Sequence, residues 1–379
     1  MEVFSTIYLD YAASSPPYPE VLDLVNRTAL ECFANPGALH QAGAAARKIL
    51  QCSRILLARA MKVRPEEVFF TSGGTEANNW AIRIGSDVPG KKHIICSATE
   101  HSSVLEPIRQ LEKSGYTITW LNPDRTGRIF PEDLENAIRR DTALLCVQAV
   151  NNETGVLQDI DALSRIAKKH RVRFFCDAVQ SFGHVNQNLS KADLISCSAH
   201  KLGGPRGVGC LIVRIPIIPT PMIHGGGQEF GLRSGTENLP GIAGFAEASR
   251  LSWESLESEQ QRLARLCTEM EEGLHQICPD VQFAGEGADR SSIRSCRLPG
   301  ISAEEMVVRL DQWGICASPG AACAARSHAP SHVLLAMGYN PQEASEFVRF
   351  SLGRDTTESE IREALAAIQT IYQKAAQRI

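Results

Sequence analysis

A lysine beside a glycine-rich turn is the most informative chemical feature of this sequence. Directly after the apolar residues 192–197, the chain reads Ser198-Ala199-His200-Lys201-Leu202-Gly203-Gly204-Pro205-Arg206-Gly207-Val208-Gly209. A lysine at the end of a strand, flanked by hydroxyl and imidazole groups and followed by flexible glycines, suits an amine that forms an imine and must move between two partners. The alternative is an ordinary exposed lysine, because glycine turns are common.

An acidic residue ends another predicted strand. Asp177 follows the run Arg173 to Cys176, and a buried carboxylate at that place is costly unless a cation pairs with it. The protonated ring nitrogen of pyridoxal 5'-phosphate (PLP) is such a cation, and its protonation allows that cofactor to absorb electrons. The alternative role for Asp177 is the N-cap of a helix.

A segment rich in glycine and hydroxyl groups offers a place for a phosphate. Residues Thr71 to Asn79 follow a predicted strand and begin a helix. Free backbone N–H groups, the positive end of the helix and hydroxyl groups therefore converge there. A plain capping turn is the alternative, and it loses weight once Lys201 and Asp177 imply a cofactor that carries a phosphate.

These residues must be positioned by regular elements, and the large predicted domain spans residues 15–257. Within it, short apolar runs alternate with segments that look helical. Such alternation predicts βαβ units and a mostly parallel sheet covered on both faces, and hence an α/β fold. The predicted strands include Glu67 to Thr71, His93 to Ser97, Thr117 to Leu121, Ala143 to Ala149, Arg173 to Asp177, Leu194 to Ser198 and Gly209 to Val213.

The pattern changes to a helical stripe between about residues 246 and 277. The spacings of three, four or seven that define this stripe separate Leu256, Leu263, Leu266, Met270, Leu274 and Ile277. We therefore predict a long linking helix. Strand candidates at 295–298, 315–318 and 347–351 follow, and a final helix begins with the capping box Thr357 to Glu360. Residues 258–379 are thus predicted to form a smaller α+β domain, with residues 1–14 packed against it.

Length, charge and cysteine usage exclude several classes of protein. A chain of 379 residues with a net charge of −4 is too long for a small disulfide scaffold and has no basic footprint for nucleic acid. No apolar run approaches the roughly 20 residues of a membrane span, and no signal-peptide pattern is present. The 12 cysteines include no C-x-x-C pair, so most are expected to be buried thiols. We expect a cytoplasmic protein that binds neither membranes nor nucleic acid directly.

Ten segments in order along nearly the whole chain share a resemblance to one known family. They are Tyr8 to Ala13, Asn35-Pro36, Thr71 to Asn79, Thr99 to His101, Asn151 to Gly155, Asp177 to Gln180, Ser198 to Gly209, Gly225 to Glu229, Arg233 to Thr236 and Arg349 to Gly353. This set resembles the cysteine desulfurases of the NifS/IscS type, which are class V aminotransferases. The resemblance implies the PLP-dependent transferase fold of type I, with a mostly parallel seven-stranded sheet in the large domain and a smaller α+β domain.

The resemblance also implies a role for individual residues. Lys201 would bind PLP covalently through its amine, and His101 would stack on the ring and assist proton transfers. The other cofactor contacts would come from Asp177 at the ring nitrogen, Gln180 at the ring hydroxyl, and Gly74, Thr75, Ser198, His200 and the partner subunit's Thr236 around the phosphate. Asn152 and Arg349 would hold the carboxylate of L-cysteine, because arginine offers the bidentate fork that a carboxylate favours.

The family carries a nucleophilic cysteine in a loop of the smaller domain, and Cys323 falls on that position within residues 317–331. Small residues on both sides suit an accessible segment. The loop departs from the family pattern at Pro319, which stiffens its entrance, and at Ala324, which lacks a hydroxyl beside the thiol. Cys323, His328 and His332 have no evident fourth metal ligand, so we expect no metal site.

The expected reaction converts L-cysteine to L-alanine and leaves a persulfide on Cys323 for delivery to a sulfur-acceptor protein by a homodimeric enzyme. Iron–sulfur cluster assembly, tRNA thiolation and DNA phosphorothioation would use the same site, so the destination of the sulfur stays open. One alternative is a selenocysteine lyase, or another PLP-dependent C–S lyase or aminotransferase of this fold. The other is a non-catalytic partner-binding protein, which predicts erosion of the cofactor residues, whereas Lys201, Asp177, His101 and Arg349 are all present.

Overall fold

The fold is taken from a computed structural model that describes residues 6–320 and 330–376. Its helices are α1 Pro19–Glu31, α2 Gln41–Met61, α3 Gly74–Ser86, α4 Ser102–Lys113, α5 Pro131–Ala137, α6 Ile160–Lys169, α7 Leu239–Ile277, α8 Ala303–Asp311, α9 His332–Ala336, α10 Pro341–Ala344 and α11 Glu358–Ala376. Its strands are β1 Ile7–Tyr8, β2 Val68–Thr71, β3 His93–Ser97, β4 Thr117–Leu121, β5 Thr142–Cys146, β6 Arg173–Asp177, β7 Leu194–Ser198, β8 Gly209–Val213, β9 Gln282–Phe283, β10 Ile293–Arg297, β11 Ile315–Cys316 and β12 Phe347–Ser351.

A seven-stranded sheet organises the first two thirds of the chain, in the order β2-β8-β7-β6-β5-β3-β4. All neighbours run parallel except that β8 is antiparallel to both β2 and β7. Separate apolar clusters lie on the two faces of this sheet, which explains why its strands are apolar almost throughout rather than alternating. The predicted α/β class and the mostly parallel sheet are confirmed.

A second group of elements has its own apolar core. Strands β12, β10 and β9 form an antiparallel sheet, and β1 pairs with β11 in a parallel ladder. Ile7 and Leu9 from the N-terminal segment pack in the same core as Met306, Phe350 and Ile368. Within the described ranges, none of the helices combines the length and the apolar character that crossing a membrane requires.

Helix α7 contributes to both cores. It has 39 residues, which corresponds to a length of about 58 Å. Phe245 near its beginning packs in the core of the large sheet, and Met270 near its end packs in the second core. The domain boundary predicted at residue 257 falls inside this helix, and the division into residues 15–257 and 258–379 stays a prediction.

The N-terminus of α7 lies earlier than the apolar stripe indicated. Asn238 is the N-cap, its side chain accepts a hydrogen bond from the backbone N–H of Gly241, and Pro240 occupies the first turn. Both features are typical of a helix start. At the other end of the chain, Thr357 and Glu360 exchange the two hydrogen bonds of the expected capping box.

Candidate active site

A cavity of about 270 Å³ lies where the carboxyl ends of parallel strands meet, the usual place for a ligand in an α/β sheet. The structure brings ten of the predicted site residues to its wall: Gly74, Thr75, His101, Asn152, Asp177, Gln180, Ser198, His200, Lys201 and Arg349. They come from both parts of the chain, because Arg349 belongs to β12 whereas most of the others follow strands of the large sheet.

The order of the strands explains how distant residues converge. Strand β6 ends at Asp177 and β7 ends at Ser198, while α3 begins at Gly74 soon after β2. These three strands run in the same direction, so their carboxyl ends lie at the same edge of the sheet. Gly209 allows a close approach at this edge, because a Cβ atom there would lie 2.8 Å from the Gly73 Cα.

The start of α3 has the features of a phosphate site. Gly73 is its N-cap and supplies no side-chain hydrogen bond, so the backbone N–H groups of the first turn are available to a ligand. A Cβ at Gly74 would lie 2.8 Å from Val179 Cγ2 and 3.6 Å from Ser198 Cβ, which shows how closely the surrounding side chains approach this turn.

The N-terminal segment holds the lysine turn in place. The Lys201 amine donates hydrogen bonds to the carbonyl oxygens of Ala12 at 2.6 Å and Ala13 at 2.9 Å. The Lys201 carbonyl in turn accepts hydrogen bonds from the Ser15 hydroxyl at 2.5 Å and from His184 Nε2 at 2.8 Å. The amine is therefore at the cavity wall on a turn whose backbone is fixed from two sides.

Asp177 is a nearly buried carboxylate, only 6% exposed. It accepts hydrogen bonds from the Asn78 side-chain amide at 2.7 Å and from the Val179 backbone N–H at 2.9 Å. The described part of the chain supplies no ion pair to it. A buried carboxylate that lacks a cation and lines a cavity fits a cationic group of a ligand.

A second acidic side chain lies behind Asp177. Glu100 is buried, and one of its oxygens accepts a hydrogen bond from the Gln148 backbone N–H at 2.7 Å, while the other has no partner in the described part of the chain. Burial, and secondarily the charge of Asp177, raise the pKa of Glu100 well above its ordinary value. Both effects favour the neutral form of the Glu100 carboxyl.

The two histidines at the cavity are also held neutral. Burial, with added effects of Lys201 and Arg206, lowers the pKa of His200 to about 4. Burial also lowers the pKa of His101, which forms the N-cap of α4. The positive end of a helix disfavours a second positive charge, which acts in the same direction.

Arg349 is the best candidate for binding a carboxylate. Its side chain is buried, with the residue 1% exposed, and donates hydrogen bonds to Asp10 Oδ1 at 2.7 Å and to the Asn152 carbonyl at 2.9 Å. Its Nε is buried and finds no hydrogen-bond partner among residues 6–320 and 330–376. A buried guanidinium whose Nε–H donor is unpaired within the described residues suits a ligand that brings an acceptor.

Cys323 lies outside the described residues, but the residues on both sides of its segment make hydrogen bonds to residues at or next to the cavity wall. Before the segment, Ser318 exchanges two backbone hydrogen bonds with Arg349, at 3.1 and 2.7 Å. After it, the Ser331 hydroxyl donates to Glu153 at 2.5 Å and His332 Nε2 donates to the Glu100 carbonyl at 2.9 Å. The chain therefore leaves the described region beside Arg349 and returns beside His101.

Thr236 is the predicted cofactor residue that this cavity does not include. It is exposed and absent from the cavity wall. The prediction places it in the site of a partner subunit, and that role stays a prediction.

Several site residues were missed at the level of sequence. The carbonyls of Ala12 and Ala13 could not be recognised because every residue has one. Asn78 and Ser103, which link Asp177 to His101, belong to different helices, and their contact depends on how α3 packs on α4. The only signal for Asn78 was its place within the glycine- and hydroxyl-rich segment.

Residues 7–364 match the family model of the class-V aminotransferases. The chain belongs to the class-V aminotransferases. One relative among them is cysteine desulfurase IscS of Dictyoglomus turgidum, which is 39% identical, with 97% of this chain and 95% of the relative covered.

Solved structures similar to this chain agree with this family. A NifS-like protein superposes with a TM-score of 0.91 at 32% identity, covering 97% of this chain and 100% of its own. The protein SspA, solved in complex with cysteine, superposes with a TM-score of 0.81 at 33% identity, covering 92% and 99%. Within the class-V aminotransferases, this chain therefore groups with the cysteine desulfurases.

Proposed function

We propose that this protein is a PLP-dependent cysteine desulfurase that converts L-cysteine to L-alanine and transfers the sulfur to Cys323. The observation that carries the proposal is the convergence of Lys201, Asp177 and Arg349 on one cavity. An amine, a carboxylate that forms no ion pair with the described residues, and a guanidinium with a donor that they leave unpaired are the groups that an amino-acid substrate and a pyridinium cofactor need. The names of the similar proteins support the same reaction.

The cavity residues fit PLP by their chemistry. Asp177 would pair with the ring nitrogen, Gln180 would contact the ring hydroxyl, and the first turn of α3 with Ser198 and His200 would bind the phosphate. A neutral His200 donates or accepts a hydrogen bond without adding charge. When bound, PLP supplies an electron sink for bond changes at the α- and β-carbons of the substrate.

Side chains of the protein would bind the substrate and move its α-proton. Arg349 and Asn152 would hold the substrate carboxylate and so fix the orientation of the amino acid. The Lys201 amine would take the α-proton, since an uncharged lysine amine is a suitable base for this step. The carbonyls of Ala12 and Ala13 accept hydrogen bonds from that amine and so offer it a binding position at the cavity wall.

Sulfur transfer requires the thiol of Cys323. L-Cysteine and the enzyme thiol give L-alanine and an enzyme persulfide, an exchange that balances in atoms and electrons without an outside oxidant. Before the Cys323 segment, Ser318 pairs with the cavity residue Arg349, and after it the Ser331 hydroxyl donates to Glu153, the neighbour of Asn152. A loop anchored at both ends beside the substrate carboxylate site supports delivery of the thiol to the substrate sulfur.

We further propose a cytoplasmic homodimer that passes its sulfur to an acceptor protein. Thr236 would reach the cofactor phosphate of the partner subunit. Phe230, in the same loop, is 65% exposed, and Ile223, which pairs with Arg233, is also partly exposed. Apolar side chains exposed beside a predicted cofactor residue support a subunit contact at this loop.

Mass spectrometry of the intact protein after reaction with L-cysteine tests the proposal. The PLP-loaded wild type should gain the mass of one sulfur atom on Cys323 and release alanine. Cys323→Ser should lose both, and Lys201→Ala should lose the yellow colour of the bound cofactor. Alanine formation by Cys323→Ser at the wild-type rate would contradict the persulfide route, and a colourless wild type that PLP cannot restore would contradict the enzyme itself.

A further inference from the structure

The ring of His101 is constrained by the helix that it caps. The backbone N–H of Ser103 donates a hydrogen bond to His101 Nδ1 at 3.1 Å, which makes His101 the N-cap of α4. A backbone amide can only donate, so Nδ1 must present its lone pair. A neutral imidazole with a lone pair on Nδ1 carries its proton on Nε2.

A second donor acts on the same nitrogen. The Ser103 hydroxyl lies 2.7 Å from His101 Nδ1 and 2.8 Å from the side-chain nitrogen of Asn78. That nitrogen also donates to Asp177 Oδ2 at 2.7 Å. Because the Asn78 amide gives one proton to each neighbour, the Ser103 oxygen accepts from Asn78 and directs its own proton to His101.

The reverse orientation of Asn78 conflicts with the neighbouring charge. If the amide were turned over, its oxygen would face the Asp177 carboxylate, and two acceptors would meet at 2.7 Å. Each hydrogen bond in this chain of four residues therefore has one direction. The Asn78 amide donates to Asp177 and to the Ser103 hydroxyl, and that hydroxyl donates to His101.

The surroundings of His101 agree with a neutral ring. Burial, together with the positive charge of Lys201 and the neighbouring His332, lowers its pKa, whereas Asp177 and Glu153 act in the opposite direction. The net direction is downward. Protonation at Nδ1 would also place a ring N–H against the N–H of Ser103, so the cap itself opposes the charged form.

We propose that Asn78 and Ser103 are positioning residues that fix His101 as the neutral Nε2–H tautomer, so that its ring offers the substrate a proton donor rather than a base. The role toward the substrate rests on the proposed desulfurase function, whereas the tautomer rests on the hydrogen bonds alone. Removal of the α-proton is then left to Lys201, and His101 contributes its Nε2–H group to the polar or leaving atoms of the substrate.

Nitrogen-15 NMR of histidine side chains tests this assignment on the full-length protein with PLP bound. The His101 signal is identified by its loss in His101→Gln. In the wild type at pH 8, above the ordinary histidine pKa of about 6.5, Nε2 should carry the proton and Nδ1 should show the shift of an unprotonated nitrogen. A proton on Nδ1 would overturn the proposal without any variant.

Three substitutions isolate the hydroxyl. Ser103→Ala removes one donor to Nδ1 but keeps the backbone N–H, so the tautomer should persist while the pKa of His101 rises by roughly half a unit to one unit. Ser103→Thr retains a hydroxyl and should restore the wild-type value. Ser102→Ala, at the exposed neighbouring position, is the matched control and should change neither quantity.

An unchanged His101 pKa in Ser103→Ala would refute the role of the hydroxyl. The readout does not depend on turnover of L-cysteine. An inactive protein with the expected tautomer would therefore reject the proposed function alone, and an active protein with the other tautomer would reject this inference alone.

Discussion

Removing the charge of Glu229 should weaken the attachment of one loop, the segment from Glu229 to Thr236, to helix α2 and strand β2. Glu229 is buried and accepts hydrogen bonds from Arg54 at 2.8 and 2.6 Å and from the Phe70 backbone N–H at 2.8 Å. Arg54 also donates to the Val68 carbonyl at 2.5 Å. This bidentate pair therefore joins α2 and β2 to the loop.

The loss of unfolding free energy expected for Glu229→Gln follows from the Arg54 charge that stays buried without its partner. Removing one charge of a buried pair costs about 3–5 kcal/mol, because the other charge stays buried without compensation. Glutamine keeps the size of the side chain and one acceptor oxygen, so we expect the lower end, about 3 kcal/mol. If the prediction for Thr236 holds, PLP binding should weaken as well, since the loop loses its anchor.

Urea denaturation at fixed protein concentration measures this cost. The matched control is Glu106→Gln, which breaks an arginine–glutamate pair of similar length, 2.5 Å to Arg109, with side chains 60% and 49% exposed. Exposed pairs contribute about 0–1 kcal/mol, so the control should leave the free energy of unfolding almost unchanged. The double variant Arg54→Met/Glu229→Gln should recover part of the loss, because no unpaired charge remains. Equal losses in Glu229→Gln and Glu106→Gln would refute the reasoning from burial.

Three further predictions concern Glu100, His200 and Gly209. Because the pKa of Glu100 is raised above its ordinary 4.5, the free energy of unfolding should fall as the pH rises from about 4.5 through the folded pKa. Glu100→Gln should remove that slope in thermal denaturation at pH 5 and pH 8, while the exposed control Glu112→Gln should keep it. The pKa of His200 is lowered from 6.5 to about 4. Its contribution to the free energy of unfolding should therefore be full above pH 6.5 and lost as the pH falls towards 4. A His200→Gln variant that loses stability over this window as steeply as the wild type would contradict this prediction. Gly209→Ala should weaken PLP binding about tenfold in an absorbance titration, since its Cβ would press on Gly73 and overpacking costs about 1–3 kcal/mol; unchanged affinity would show that the turn adapts.

The strands were predictable where an apolar run ended in a clear break. Leu194–Ser198 and Gly209–Val213 have the predicted bounds, because glycines and polar residues delimit them. The strand expected at Ala143 to Ala149 ends instead at Cys146, although Val147 and Ala149 still donate backbone hydrogen bonds to Phe175 and Asp177 of β6. The early start of α7 was missed because Leu239 to Ala246 is buried on nearly every side, which leaves no stripe.

The candidate site was predictable as far as strand ends allow. Asp177 and Ser198 are the last residues of their strands, and parallel strands bring such residues together. The contacts of Lys201 with Ala12 and Ser15 join residues nearly two hundred positions apart, so local patterns carry no sign of them. The link between Asn78 and Ser103 likewise arises from the packing of two helices, which composition and periodicity do not encode.

The continuity of α7 limits how the two cores can move. Phe245 and Met270 are buried in different cores, yet they lie on one unbroken run of backbone hydrogen bonds. Rotating one core against the other would require bending that helix, which in the absence of an internal proline means disrupting its ladder. Entry of a small amino acid therefore requires less disruption if it proceeds by local adjustment of side chains at the cavity wall than by a swing of the whole C-terminal part.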